Sequence, residues 1–594
     1  KESNFVIRPL FHVESETDNK RIIEIINKRK KVMLDLDSKA LISQQLFSEE
    51  VYKKGNFLFQ GQKFHFQKVI SKISEKMPTC KEIKTLGWHD DGFYAFANGA
   101  IIDDQFRKVD EYGIIEKEGN KYFLPAESSI YKHLGREDDI YENERTFRFI
   151  KSSIDFEEWG KQMNTVHGPN GACAVAFLTA ALFRDHIFGV MNFFPHLFLV
   201  GDVETGKSYC ASSINAVFHG SQPPFNLTSG TKVGMIRRMS KQSNAVQWFD
   251  EYDNDFDKGR YDLLKGSYDG SGYEKGLMSQ DNRTVTNKVL SASIISGQHI
   301  ATRDQNALFT RIINLLFTNK SRNLTNDQKE AGAKLKALEA AGLSSILKDV
   351  LKYRGLVIRD FSKVVQSVQK ELKKEMKPDS FSGRVLGNYS VVLATVKILE
   401  DKIKLPLSYD TYKSLFVKMI EEQSSQISES DALHTFWSKI QFLESIGLIM
   451  ENHDFKIRWN QNEVRLTENK ADFIKDFDGT KNLLFINLTK MYQLYRKETK
   501  SAGSETPINE TSLKTYFKSS NAYLGRVNSM RFGKKSNSGY VFDYDKLNLT
   551  LHDEYVNDPD NIHTDVDNNL TPSKDFDEEP FIEVGAKQND IPFN

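Results

Sequence analysis

Eight consecutive residues have the types and spacing to hold a chain of phosphates: Gly201, Asp202, Val203, Glu204, Thr205, Gly206, Lys207 and Ser208. In the pattern G-x-x-x-x-G-K-S the glycines let successive backbone N–H groups turn inward around an anion. The first turn of a following helix adds positive potential there. Lys207 has the length to reach β- and γ-phosphates, and the Ser208 hydroxyl is placed to ligate Mg²⁺. "HLFLV" before the loop reads as a strand and "SYCASSINAVF" after it as a helix, which is the setting such a loop needs. Further along, "NAVQWFDEYDN" reads as an apolar strand that ends in two acids. Asp250 is placed there for Mg²⁺, and Glu251 to polarise an attacking water.

Two more strands follow. "VLSASIISGQ" is β-rich and ends in Ser296, Gly297 and Gln298, and "LFTRII" puts Arg311 ahead of another apolar strand. Phosphate loop, paired acids, polar strand end and arginine strand, in that order, resemble the AAA+ helicases grouped with superfamily 3 and the minichromosome-maintenance type. The likeness is greatest to helicase or primase-helicase proteins of phages and mobile elements. There, an N-terminal region with a "GWH…F" signature precedes the ATPase, and "LGWHDDGFYAFANGAII" is similar to it. The resemblance spans roughly residues 80 to 400.

It implies an α/β fold with an AAA+ core, ATP and Mg²⁺ as cofactors, and hydrolysis at the interfaces of a homo-hexameric ring. Gln298 is then the first choice to sense the γ-phosphate and Ser296 the second, although such helicases often have Asn where Gln298 stands. Arg311 is expected to reach a neighbouring subunit's nucleotide, with Arg303 competing for that role. Arg384, opening "GRVLGNYSVVLATVKIL", is expected to touch nucleotide from a helical lid. The family also places a hairpin between the paired acids and the polar strand. Here that interval is "GSGYEKGLMSQDNRTVTNKVL", with Asp281-Asn282 as its turn and Lys275, Arg283 and Lys288 to track a DNA backbone.

These elements divide the chain into an α+β N-terminal domain (1–150), the ATPase core (151–325), a helical lid (326–425), a winged-helix-like region (426–550) and a polar tail (551–594). In the fourth segment "INETSLKTYFKSSNAYLG" reads as a helix and "RVNSMRFGKKSNSGYVFDY" as a two-stranded wing. Arg526, Arg531, Lys534 and Lys535 cluster in the wing, with Lys514 and Lys518 on the helix, as a phosphate-docking set.

Formal net charge is zero, but it is unevenly spread: from His552 to Asn594 twelve carboxylates face only Lys574 and Lys587, so the body is basic. That layout fits a nucleic-acid protein. "DFDEEPF" and the closing "NDIPFN" resemble the acidic Pro-Phe tips by which bacterial single-strand-binding proteins recruit replication partners. Cys80, Cys173 and Cys210 are scattered, which excludes a disulfide framework or a zinc site and fits a reducing cytoplasm. Arg184, Asp185 and His186 interrupt the most apolar run, so no transmembrane helix is expected. The reading that follows is an ATP-dependent helicase or translocase acting on single-stranded or forked DNA. The rivals are an origin-remodelling initiator or loader, and an NTP-gated defence or signalling switch.

Overall fold

The computed structural model describes residues 2–551 apart from 16–18, 29, 76, 133–140, 221, 272, 277–283, 302, 319–322, 378–380, 469–470, 502–506, 521 and 548. For 273–276 and 284–287 only the backbone is described. The chain is mixed α/β and forms two compact units: Lys1–Thr435 with Thr511–Ser520, and Phe436–Glu510 with the described part of Asn521–Asn594.

At the centre of the first unit lies a five-stranded sheet whose strands are β1 (His196–Gly201), β2 (Phe225–Asn226), β3 (Val246–Tyr252), β4 (Ala292–Gly297) and β5 (Ile312–Phe317). Every pairing is parallel, and the order is β2-β3-β4-β1-β5. All six residues of β1 and all six of β4 are buried, as expected of parallel strands covered on both faces. The helix Pro169–Ala181 covers one side with a run of small residues and is buried from Gly171 onward. Among the described residues no single helix is long and apolar enough to cross a membrane.

The segment 326–425 is helical, but it is built into the same core as the sheet. Thirteen residues of the helix Gly383–Leu399 are buried, and Asn388 donates to the Thr310 carbonyl at 3.0 Å. Tyr389 accepts from Asn314 N–H of β5 at 3.3 Å and donates to Gln423 at 3.0 Å, while the Tyr412 hydroxyl donates to the Ala172 carbonyl at 3.0 Å.

The boundary expected at residue 150 is not a break in packing. A six-stranded mixed sheet runs Lys31–Leu36, Lys20–Ile26, Val6–Glu14, Thr79–Glu82, Asn120–Phe123, Ile114–Lys117 in spatial order. A second sheet, built from the "GWH" region, continues into the ATPase segment: Leu86–His89 pairs in parallel with Gln242–Ser243, just ahead of β3. Gly87 is required there, since its φ is +87° and a Cβ would lie 1.9 Å from the Ser243 carbonyl oxygen. Trp88 lies under the Arg354 guanidinium at 3.9 Å, and Arg354 is paired with Asp185. Asp185 in turn accepts from Asn244 at 2.7 Å, and the Tyr94 hydroxyl donates to the Asn244 carbonyl. His89 stacks on Phe93 with centroids 4.8 Å apart, a packing role within its hairpin.

The second unit holds a four-stranded antiparallel sheet in the order Phe455–Glu468, Ala471–Ile486, Lys535–Asp543, Tyr523–Phe532. Its two edge strands curl toward one another: Asn528 N–H donates to the Thr467 hydroxyl at 3.3 Å, and Gly525 lies against Leu466. The hairpin read as a free wing is therefore half of a curled sheet closed over Val464, Leu466, Leu483, Phe485, Met530, Phe532 and Val541. The helix Glu510–Ser519, read as that wing's partner, belongs to the first unit. Lys514 and Lys518 therefore lie in a different unit from the hairpin basics.

Three histidines of the first unit, His196 and His219 buried and His167 half-buried, are held neutral. Burial holds His167 near pKa 4 and, as the main cause, His196 and His219 near 3. Unfolding restores a value near 6.5. Their contribution is therefore intact above pH 6.5 and is lost as pH falls below it, at up to about 1.4 kcal/mol per histidine per pH unit. Thermal melts should show a fall in Tm of the first unit between pH 6.5 and 4.5, and His219→Gln should flatten that slope.

Candidate functional site

The carboxyl ends of β1, β3 and β4 meet at one edge of the central sheet. Because β4 is inserted between β1 and β3, the chain leaves β1 for one side of the sheet and later crosses to β5 on the other. This makes the β1 end a topological switch point, where open α/β sheets leave a crevice.

The loop after β1 runs from Asp202 to Gly206 and enters the helix Lys207–Ala216. Gly201 is pressed against the Phe317 carbonyl, which a Cβ would approach to 2.2 Å, and Gly206 has φ +89°. Glu204 is also left-handed at φ +67°, and the Thr205 hydroxyl ties the loop by donating to the Asp202 carbonyl at 2.8 Å. Gly206 is the N-cap and brings no side chain, so the helix's first N–H groups carry no side-chain cap. Asp202, Val203 and Glu204 are exposed, as is Ser208. Lys207 is folded back, its Nζ donating to the Asp202 carbonyl at 3.2 Å. A helix start with no side-chain cap, a lysine resting on a loop carbonyl and an open hydroxyl fit a polyphosphate with Mg²⁺. His167 packs beside Gly206 and edge-on to Tyr209, closing the back of the loop.

Across the crevice, β3 carries a bulge at the paired acids. Phe249 is opposite Ile295 and Tyr252 opposite Gly297, so β3 has one residue more than β4 over this stretch. Glu251 takes up the excess with φ +59° and is exposed. A left-handed glutamate is strained by about 1 kcal/mol or more, and a bulge re-aims a side chain out of the sheet plane. Asp250 is half-buried and held: Ser296 Oγ on β4 donates to its Oδ1 at 2.5 Å, and the Trp248 indole N–H donates to Ser296 Oγ at 2.7 Å. Gln298, the first choice for the polar strand end, is exposed one residue past β4. The residue in contact with Asp250 is Ser296, and the indole behind it was not singled out in the sequence. The signal was there: strand alternation puts 248 and 250 on the same side of β3.

The arginines lie elsewhere. Arg311 stands just before Ile312, which is paired with His196 at the far end of β1 from Gly201. It bonds the Ala307 carbonyl, sits 3.7 Å from Asp269 and lies over the Tyr268 ring. Arg384, expected to act from a lid, stands at the same edge, 3.4 Å from the Thr310 hydroxyl. Its helix packs on the amino end of β5, so it does not approach its own phosphate loop. Five residue steps of about 3.3 Å separate the two edges, about 16 Å. Arg303 is bound to the Phe256 carbonyl and stacks on Tyr261.

Tyr273–Gly276 and Thr284–Asn287 pair antiparallel between β3 and β4, so a hairpin occupies the expected interval. Lys288 just after it is exposed, while the Asp281-Asn282 turn and Arg283 lie outside the described residues, as does the Lys275 side chain. In the second unit Arg531, Lys534 and Lys535 are exposed around one hairpin tip. The acidic tail from 552 onward lies outside the described residues. Among the described residues no group of three or more His, Cys, Asp or Glu is arranged to hold a metal, so a metal here would depend on phosphate oxygens beside Asp250 and Ser208.

No protein-family model matches the chain. No curated protein matches it either. Among solved structures it is similar to an active helicase, Cch of SCCmec type IV, at 15% identity over 92% of this chain and 95% of that one, with a TM-score of 0.49. It is also similar to the NrS-1 C-terminal region 305–718, at 11% identity over 70% and 91%, with a TM-score of 0.27. A third is a JCV helicase bound to a thiazolopyridinyl-phenoxyphenyl acetamide, at 12% identity over 41% and 67%, with a TM-score of 0.22. None of these scores reaches 0.5, and the chain's own geometry carries the function proposed below.

Ser296→Ala removes a hydrogen bond to a charged group, an interaction of about 1.5–3 kcal/mol. We expect the Mg²⁺ concentration for half-maximal nucleotide turnover to rise about tenfold or more in Ser296→Ala and to change little in Gln298→Ala. Steady-state hydrolysis across a Mg²⁺ titration measures both.

Proposed function

We propose that the chain is an ATP-dependent DNA helicase or translocase of the AAA+ type, serving replication of a phage or mobile element as a ring, most simply a hexamer. The observation that carries this reading is the separation of the site's halves. The phosphate loop and paired acids lie at the carboxyl edge of the sheet, and the arginines suited to stabilise transferred charge lie at the amino edge. A subunit whose cations stand about 16 Å from its own loop is completed by a neighbour.

In this reading the amides of residues 202–208 and Lys207 bind the β- and γ-phosphates, and Ser208 and Asp250 hold Mg²⁺. Bound Mg²⁺ neutralises the charge that develops on the phosphoryl oxygens. Ser296 and Trp248 fix the rotamer of Asp250. Glu251, aimed outward by the bulge, accepts a proton from the attacking water. Arg311 acts in trans, and Arg384, at the same edge, serves the same neighbouring nucleotide. The hairpin through 273–287 lies between β3 and β4 in the chain and leads into the amino end of β4, and Lys275, Arg283 and Lys288 take hold of the DNA strand. Arg531, Lys534 and Lys535 are a second contact, and the acidic tail recruits a replication partner.

Lys207→Ala and Glu251→Gln should each cut ATP turnover at least 100-fold, with Glu251→Gln still binding nucleotide. Arg311→Ala should be equally inactive alone, and mixing it with Lys207→Ala should restore some turnover, because a mixed ring contains interfaces with both parts intact. Displacement of a strand from a forked duplex by the wild type tests the helicase step. Hydrolysis without displacement would favour the origin-remodelling reading, and hydrolysis unaffected by single-stranded DNA would favour a signalling switch.

A further inference from the structure

The N-terminal domain carries a concentrated cationic surface that the nucleotide site does not use. The turn between the strands Lys20–Ile26 and Lys31–Leu36 is "NKRKK", Asn27 to Lys31. It is closed by Asn27, whose N–H donates to the Lys30 carbonyl at 3.0 Å and whose side chain accepts from Lys30 N–H at 2.8 Å. Lys28, Lys30 and Lys31 are exposed at its tip. The fold adds cations from two distant segments. Lys30 Nζ donates to the Lys54 carbonyl at 3.0 Å, which docks the end of the helix Gln44–Lys53 against the turn. On the sheet face, Arg8 joins from the neighbouring strand Val6–Glu14.

One buried carboxylate organises this face. Glu24 is wholly buried, with Lys31 Nζ 2.8 Å from one oxygen and Arg8 3.5 Å from the other. Both cations keep more than half of their side-chain surface in solvent. A fully buried carboxylate under two exposed cations fixes where those charges stand while neutralising only one of them. The remaining acids nearby are Glu50, paired with Lys53, Glu49, and Glu111 facing Lys31. Tyr52, two residues ahead of Lys54, is 61% exposed.

We infer that this surface, formed by Arg8, Lys28, Lys30, Lys31, Lys54 and Tyr52, is a binding site for single-stranded nucleic acid, with phosphates on the cations and a base stacked on Tyr52. Cations spaced along one end of a sheet with an exposed aromatic beside them match the requirements of sequence-independent strand binding. The inference deepens the proposed function by giving the strand a contact on the N-terminal domain, separate from the hairpin after β3 and from the tip around Lys534.

The test uses the full chain and a fluorescently labelled oligothymidylate, with anisotropy titrations at several salt concentrations. Each phosphate contact adds about 0.7 to the slope of log affinity against log salt for a single strand. Lys28→Ala/Lys30→Ala should therefore lower that slope by about 1.4, and Lys28→Ala alone by about half as much. Tyr52→Ala should weaken single-strand binding about fivefold or more and leave duplex binding nearly unchanged. ATP hydrolysis without DNA should match the wild type, since none of these residues belongs to the nucleotide site. Wild-type affinity and salt slope in all three variants would overturn the inference. If the wild type itself fails to bind the strand, the proposed function falls with it, so the two failures are distinguishable.

Discussion

The parallel pairing of β4 with both β1 and β3 is the constraint on which the candidate site depends. It sets the end of β1, which carries the phosphate loop, and the end of β3, which carries the acids, one strand apart, with the end of β4 between them. Strands in a sheet stand about 4.8 Å apart, so the two ends are separated by about 10 Å. A crevice that wide admits phosphates and a hydrated cation while keeping both walls on rigid elements. The complete burial of β1 and β4 makes those walls stiff. At the two walls the backbone turns left-handed at Glu204 and Gly206 in the loop and at Glu251 in the bulge.

The same sheet explains why the N-terminal domain is not an independent appendage. Leu86–His89 extends its own sheet onto Gln242–Ser243, and only two residues separate that strand from β3. Trp88, Arg354, Asp185 and Asn244 form a continuous chain of contacts from the "GWH" hairpin to the helix Arg354–Glu375 and back to the entry of β3. Arg354 is planar and stacks on the indole while forking onto the carboxylate, which a lysine cannot do.

The parts of this arrangement that were legible in the sequence are those with one-dimensional signatures. The phosphate loop, the DE strand and the apolar β4 and β5 are contiguous patterns, and each is found where periodicity puts it. Ser296 and Gln298 were both visible as candidates, but which one meets Asp250 depends on a bulge in the adjacent strand, and register is not written in either strand alone. The full length of the hairpin Phe455–Ile486 was illegible for another reason. Much of it is exposed, so polar residues fill both faces and the alternation that marks a half-buried strand disappears. In the wing two strands and a turn were legible, but their closure against Thr467 and Leu466 is a contact across some sixty residues. Helix content in 326–425 was plain from period, whereas its incorporation into the core through Tyr389, Asn388 and Tyr412 rests on single buried hydrogen bonds.

A parallel sheet also limits how such a site is completed. All its strands end at one edge, so residues that precede a strand stand a full strand length from residues that follow one. Arg311 precedes β5 and Arg384 packs beside it, while Lys207 and Asp250 follow or end β1 and β3. The extended arginine side chain falls well short of 16 Å, so a cis contact would require unmaking β5. The alternative is to place the amino edge of one copy against the carboxyl edge of the next. That contact is heterologous, two different surfaces meeting head to tail, and a repeated heterologous contact closes into a ring when its rotation permits and winds into a filament when it does not. The proposed ring is one way to meet that constraint, and Arg311, which stands 3.7 Å from the Asp269 carboxylate, lies at the amino edge that such a contact would use.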